Sequence, residues 1–283
     1  MNHSSAAPAV SVIIAARNEE HYIQNCLQAL IGQDAVESGP IEVIVAANAC
    51  TDATVAKARE MISGFEARGW TLQVISLADG GKLGAISSAE QAATGRSMVY
   101  LDADVLCDPA LLGQLAKVLD VPRPLYATGR IAVARSDNII TRAYARIWQR
   151  LPFVEQGAVG AGLFAMNRAG RARWGDWPRI ISDDTFARLQ FAPHERIEVA
   201  AQYHWPMVEG FRNLVRVRRR QDEGVKEVRR LYPALLANEA KAPVSKARAF
   251  RLLMADPLGF GVYLAVHLAV RLKPATAEWT RGR

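Results

Sequence analysis

Two aspartates close an apolar run in "MVYLDADVL", residues 98–106: Asp102 and Asp104, with Ala103 between them. Carboxylates at i and i+2 on a strand-end turn can both reach one divalent cation or its bound waters, and their hard oxygens suit Mg2+ or Mn2+. A cation there would cancel the repulsion between them and could stabilise a leaving diphosphate as a Lewis acid. The plainer alternative is a turn or helix cap ahead of Asp108-Pro109. A second acidic pair, Asp183 and Asp184, opens the helical pattern "DDTFARLQF". The helix dipole favours acids there, so N-capping alone could explain the pair. Lys82 stands among glycines in "GGKLG", a placement that could face phosphate or simply be solvated. His204, in "YHWP" at a strand end, reads as a half-buried structural histidine.

The elements that must position these groups are legible from apolar runs. Residues 9–16, 41–48, 70–77 and 97–105 read as buried strands rich in β-branched residues. Helical patterns separate them: Tyr22 to Ile31, a helix opening near Thr51 or Asp52, and one running from the Lys82 loop to about Thr94. A β-α-β-α-β-α-β order argues for a parallel sheet covered on both faces. Ligands of such sheets bind beyond the carboxyl ends of the strands, which is where Asp102 and Asp104 fall. Past residue 106 the alternation fades. A helix starting at Asp108, a strand at 126–134, a helix at 137–151, the glycine-rich "GAVGAGLFAMNRAG", a strand at 196–205 and a basic helix at 210–232 follow.

The 283 residues carry a net charge of +7, which suggests an anionic partner such as nucleotide phosphate, nucleic acid or an acidic membrane surface. Three cysteines at irregular spacing match no metal site and read as reduced thiols. The first residues lack a charged start followed by an apolar run, so no signal peptide is expected and a cytoplasmic location is. No P-loop is present, and no G-x-G-x-x-G follows the first strand, which argues against a dinucleotide enzyme. The longest apolar stretch, Leu258 to Val270, is too short for a confident membrane span. It reads either as a packed helix or as one lying in a membrane interface, with Arg248, Arg251, Arg271 and Lys273 around it.

"VSVIIAARNEEHYIQNCLQAL", "VIVAANACTDATVAKA" and "GKLGAISSAEQAATGRSMVYLDADV", taken in order, resemble glycosyltransferase family 2. The resemblance is strong over residues 9–110. It implies an α/β fold of the GT-A type, with a Rossmann-like, mostly parallel sheet, helices on both faces and a helical C-terminal extension. It also implies a nucleotide-sugar site. Ala15, Ala16, Arg17, Asn18 and Glu19, ending the first strand, would form part of it, together with Asn48, Asp52, Lys82, Asp102, Ala103 and Asp104. In "ANACTD", Asn48 stands where the family carries an aspartate and Cys50 where it carries a serine; an amide can still pair with a base edge. Asp104 is the implied direct metal ligand, with Asp102 supporting; in some related folds a histidine in the region of His204 joins the metal, which makes His204 a further candidate. "SDDTFARL" matches the family's acidic pair before a helix, which makes Asp184 the implied catalytic base and Asp183 its neighbour. Gly160 and Gly162 resemble an acceptor-side loop. Processive members carry Q-x-x-R-W; here only Arg220 of that signature survives, so a polymer synthase is not expected. Arg218, Arg219 or Arg220 could contact diphosphate.

These readings give residues 1–8 as a leader, 9–215 as a catalytic domain with donor (9–106) and acceptor (107–215) halves, and 216–283 as a basic and apolar helical region. The expected activity is metal-dependent inverting transfer of a sugar from a nucleotide-diphosphate donor to a sugar or lipid-linked acceptor, cytoplasmic or peripheral on a membrane. The rivals are a catalytically inactive relative that only binds and, second, a nucleic-acid protein using the 212–230 basic helix. That run has no interleaved aromatics, and nucleic acid is not an expected partner.

Overall fold

The computed structural model describes residues 7–79, 81–155 and 157–272. In chain order its strands are β1 (Val10–Ala16), β2 (Ile41–Asn48), β3 (Thr71–Leu77), β4 (Ser97–Asp102), β5 (Leu106–Cys107), β6 (Tyr126–Val133), β7 (Leu163–Asn167) and β8 (Arg196–Trp205). Its helices are α1 (Ile23–Ile31), α2 (Thr54–Arg59), α3 (Ile62–Glu66), α4 (Lys82–Ala92), α5 (Leu111–Leu119) and α6 (Ile139–Trp148), then α7 (Pro152–Glu155), α8 (Arg168–Arg171), α9 (Asp183–Leu189), α10 (Phe211–Leu231), α11 (Lys246–Ala255) and α12 (Pro257–Leu272). The proposed leader lies almost wholly outside the described residues, as does Lys273.

The chain forms two compact units that interleave in sequence. One comprises the residues up to Ile131 with Gly160–Arg179 and His194–Trp205; the other comprises Ala132–Val159, Ile180–Pro193 and the chain from Pro206.

The first unit is built on the sheet, ordered β3-β2-β1-β4-β7-β6-β8-β5. As expected, β3, β2, β1 and β4 run parallel. β1 has no exposed residue, as a strand covered on both faces must, and its continuous apolar sequence follows from that. β3, at the edge, buries only Leu72 and exposes Thr71, Gln73 and Ser76 instead. The second half is antiparallel: β7 pairs with β4 and with β6, and β5 with β8. Two-residue β5 carries no period and was not foreseen. α1 buries Ile23, Cys26, Leu27 and Leu30, the i, i+3, i+4, i+7 stripe of a helix lying on a sheet.

Two helix starts differ from expectation, for local reasons. The helix after β2 begins at Thr54 and divides into α2 and α3; Asp52 precedes it and its carboxylate accepts from the Thr54 N–H at 3.0 Å. α5 begins at Leu111 and not at Asp108, because the Asp108 N–H donates to the Gln202 carbonyl at 3.0 Å and prolongs the β5–β8 ladder.

The second unit is helical. Asn138 caps α6 by accepting from the N–H groups of Ile140 and Thr141. α12 packs on α6, α10 and α11. Gly224 of α10 lies where a Cβ would come 2.2 Å from Ser182 Oγ and 3.0 Å from Ile181, so a glycine there lets α10 approach the start of α9.

Candidate functional site

Parallel pairing places the carboxyl ends of three strands side by side. Ala15 of β1 is in register with Ala46 of β2 and with Asp102 of β4. The chain leaving each end is then tied to its neighbours. Asn48 is buried and uses its amide fully on the main chain: Nδ2 donates to the Ala16 carbonyl at 3.1 Å, and Oδ1 accepts from the Gly81 N–H at 3.1 Å. An aspartate could make only the second bond. Asn48 therefore joins the end of β1 to the start of α4, a structural task the sequence did not reveal.

Asn18 has φ of 54°, and its side-chain oxygen accepts from the Thr51 N–H at 2.8 Å. Asn tolerates this left-handed conformation better than most residues. The Asn18 N–H donates to Cys50 Sγ at 3.4 Å, so the cysteine takes an acceptor role that a serine oxygen could also fill. The Glu19 N–H donates to Thr54 Oγ1 at 2.7 Å, and the Glu20 N–H to Asp52 Oδ2 at 3.2 Å. Burial pushes the Asp52 carboxyl up, but the Thr54 hydroxyl and the N–H groups of Thr54 and Glu20 outweigh it and hold it below the ordinary aspartate value. The Arg17–Glu19 and Asn48–Asp52 segments thus form one hydrogen-bonded rim. Thr54 and Glu20 belong to it and were missed; the D-x-T spacing of Asp52 and Thr54 was the available signal.

β4 ends at Asp102, whose N–H donates to the Gly162 carbonyl at 2.9 Å. Ala103 is buried; Asp102 and Asp104 on either side of it are half-buried. Lys82, the first residue of α4, brings Nζ to 3.0 Å from Asp102 Oδ1. The lysine considered for phosphate and the first aspartate of the pair therefore meet, although 20 positions separate Lys82 from Asp102.

Gly162 has φ of +77°, and a Cβ on it would lie 2.6 Å from the Trp205 ring. A Cβ on Gly160 would lie 2.1 Å from the Tyr126 hydroxyl. The room a side chain would need at both glycines is taken by the protein's own aromatics. His204 Nε2 lies 2.9 Å from Asp108 Oδ1, a partner the sequence did not suggest. Among the described residues no group of three His, Cys, Asp or Glu side chains is placed to hold a metal ion.

Behind the rim, Glu90 of α4 receives Arg171 through two 2.8 Å bonds and the Trp177 indole N–H at 2.9 Å, and the Tyr100 hydroxyl also donates to it. Tyr100 is two residues before Asp102 and Glu90 two turns after Lys82, so this cluster ties together the two elements that carry the ion pair.

In the helical unit, Asp183 is buried and Asp184 half-buried in the first turn of α9, where Asp184 Oδ1 accepts from the Thr185 N–H at 2.7 Å. Arg188, one turn on, pairs with Glu239 at 3.0 Å. The Lys241 ammonium is held below its usual range by burial and by Arg188, against the opposing pull of Glu239 and Asp184. No spacing argument connects residue 241 to residue 184. Of the basic helix, Arg218 pairs with Asp222 at 2.9 Å and donates to the Tyr144 hydroxyl, and Arg219 donates to the Ala269 and Val270 carbonyls at the end of α12. Part of that charge is thus spent on partners inside the unit, by side chains that are half-buried.

This sheet, with acids at the carboxyl end of its fourth strand, is the GT-A fold of nucleotide-sugar transferases. The family model for glycosyl transferase family 2 matches residues 11–174, and the chain belongs to that family. PcManGT, a mannosyltransferase of Pyrobaculum calidifontis solved with GDP-Man and Mn2+, superposes with a TM-score of 0.57 at 18% identity, over 96% of this chain and 79% of that one. Residues 1–349 of TarS from S. aureus, solved with UDP-GlcNAc, superpose with a TM-score of 0.54 at 16% identity, over 94% of this chain and 92% of that one. A longer TarS chain gives 0.56 at 17% identity, but only 43% of it is covered. At these identities the likeness is one of fold. No curated protein matches the chain. Among the described residues no helix is long and apolar enough to cross a membrane.

Proposed function

We propose that the chain is a metal-dependent, inverting and non-processive glycosyltransferase with a nucleotide-diphosphate sugar donor and a sugar or lipid-linked acceptor, reached in the cytoplasm with at most peripheral membrane contact. The observation that carries this is the Lys82–Asp102–Asp104 group at the carboxyl edge of β4 in a family 2 chain. Residues 9–215 are the proposed catalytic domain.

Asp104, supported by Asp102, would hold Mg2+ or Mn2+. Two carboxylates fit a cation that takes its remaining ligands from diphosphate and water, as Mg2+ commonly does, and PcManGT was solved with Mn2+. When bound, the ion supplies Lewis-acid stabilisation to the leaving diphosphate. Lys82 adds a second positive charge at the same edge. The 15–19 and 48–52 rim lies at the carboxyl ends of β1 and β2, where a nucleoside would be received. Asp184 takes the proton of the acceptor hydroxyl, and Asp183 orients it. Attack in line on the anomeric carbon then inverts its configuration in one displacement. His204 as a further ligand would have to give up Asp108.

Calorimetry with UDP, GDP, dTDP and CDP, with and without Mn2+, tests the donor site. One nucleotide should bind in the presence of metal and lose that binding in Asp104→Ala. No binding under any condition would remove the reading's main support. The departures at Asn48 and Cys50 favour one second reading, a relative that binds a nucleotide sugar without turning it over. Nucleotide binding with no transfer or donor hydrolysis would select it.

A further inference from the structure

α12 presents two different faces. Its inner face holds Gly259 and Val266, both buried, and Tyr263, stacked on Tyr144 with centroids 5.3 Å apart. Its outer face is Leu258, Gly261, Leu264, Ala265, Leu268 and Leu272, all exposed at the 3–4-residue spacing of one helical stripe. Leu258 is 64% exposed, Leu268 50% and Leu272 82%. α11, which packs on α12, adds Phe250 at 63% and Met254 at 65%. An outward stripe of leucines on consecutive helices costs solubility unless something covers it.

Charge narrows what covers it. Lys246, Arg251 and Arg271 are exposed on these two helices. The sole acid between residues 246 and 272 is Asp256, which is paired with Arg146 at 2.6 Å. An apolar stripe with a basic border suits an anionic surface that is apolar beneath. A second copy of the chain would bring basic border against basic border. The apolar sequence of α12 runs sixteen residues to Leu272 before Lys273 and Pro274 follow, about 24 Å as a helix and short of the ~30 Å hydrocarbon core, which suits lying in an interface rather than spanning it.

We propose that α11 and α12 seat the protein on an anionic phospholipid bilayer, with Phe250, Met254, Leu258, Leu268 and Leu272 entering the headgroup–acyl boundary and Lys246, Arg251 and Arg271 meeting lipid phosphates. This deepens the proposed function, since the seat would bring the enzyme to a lipid-linked acceptor, but its test does not depend on that function.

The full chain is sedimented with vesicles of phosphatidylcholine alone and with one-quarter phosphatidylglycerol. Binding should appear with the anionic vesicles and fall at least tenfold in affinity without phosphatidylglycerol. It should fall similarly in the double variant Leu268→Asp, Leu272→Asp and several-fold in Arg251→Gln, Arg271→Gln. The second pair removes charge while leaving the apolar stripe intact, so it remains informative if the first fails to fold. Absence of binding to either vesicle overturns the proposal. So does equal binding to both, or a concentration-dependent dimer by light scattering that the leucine variant dissolves. Vesicle binding that emerges only after removal of residues 273–283 would overturn it in favour of cover by that segment. Calorimetry with nucleotide on the same preparations separates the two readings: lost vesicle binding with intact nucleotide binding counts against the membrane seat alone.

Discussion

Around the ends of β1 and β2, Asn18, Asn48 and Asp52 take main-chain groups among their partners. Asn48 bonds the Ala16 carbonyl and the Gly81 N–H, and Asp52 the N–H groups of Thr54 and Glu20. In the helical unit three arginines take carboxylates remote in sequence: Arg188 with Glu239, Arg146 with Asp256, Arg248 with Glu155. Main-chain groups have no rotamers to change, so they hold a side chain in one orientation. Pairs of long side chains on helices can re-form after small shifts. The first arrangement suits recognition of one rigid ligand such as a nucleotide; the second suits a region that meets acceptors and surfaces of varied shape.

Several substitutions would break or sharpen that contrast. Asp104→Ala should reduce metal-dependent nucleotide affinity about a hundredfold or more, because several kcal/mol of charge stabilisation go with the carboxylate. Asp184→Asn should leave that affinity unchanged in the same calorimeter while slowing turnover about 10²–10⁴-fold. Equal losses of nucleotide binding in both would mean that the two acidic pairs do not have separate tasks.

Glu90→Ala leaves Arg171 largely buried without its carboxylate, at a cost of about 3 kcal/mol in urea unfolding. Lys226→Ala, on the exposed Lys226–Glu223 pair of α10, should leave the urea midpoint where it is. Asn48→Asp is the smaller change in shape. It removes the donor to the Ala16 carbonyl, for about 1–3 kcal/mol. If it instead left stability intact and tightened nucleotide binding, Asn48 would be a base-recognition position and not a pin.

The smallest effect concerns pH. A carboxyl held below its unfolded value contributes stability above that value and loses it as pH falls through the folded one. Asp52 is such a group. Wild type should be more stable than Asp52→Asn at pH 6, and the two urea midpoints should converge as the pH approaches 2.5. Parallel curves would show that the carboxylate's hydrogen bonds do not decide the rim's stability.

What the sequence disclosed follows the range over which each signal acts. Strands β1, β2 and β4 were legible because burial on both faces writes a continuous apolar run, β3 because Leu72, Val74 and Ile75 give it an apolar centre, and their alternation with helices set the parallel half of the sheet. Asp102 and Asp104 were legible because their position follows from where that run stops. β5, with two residues, has no period to read. Lys82 could be named as a candidate, but not its meeting with Asp102, which depends on how α4 lies against β4. The structural use of Asn48 was hidden because its two partners are main-chain atoms 32 and 33 positions away. Lys241 was hidden because the charges of Arg188 and Asp184 reach it only through the fold. The exposure of Leu258, Leu268 and Leu272 needed the fold itself, since the apolar stretch reads equally well as core.

The Lys82–Asp102 pair also bears on the order in which ligands arrive. An anion drawn to Lys82 also meets the negative charge of Asp102 3.0 Å away, and a cation drawn to Asp102 also meets the positive charge of Lys82. A diphosphate and a divalent ion arriving together bring each of these charges an opposite one. At the proposed donor site the two should therefore bind with positive cooperativity, each raising the affinity of the other by the same factor, as reciprocity of linked equilibria requires.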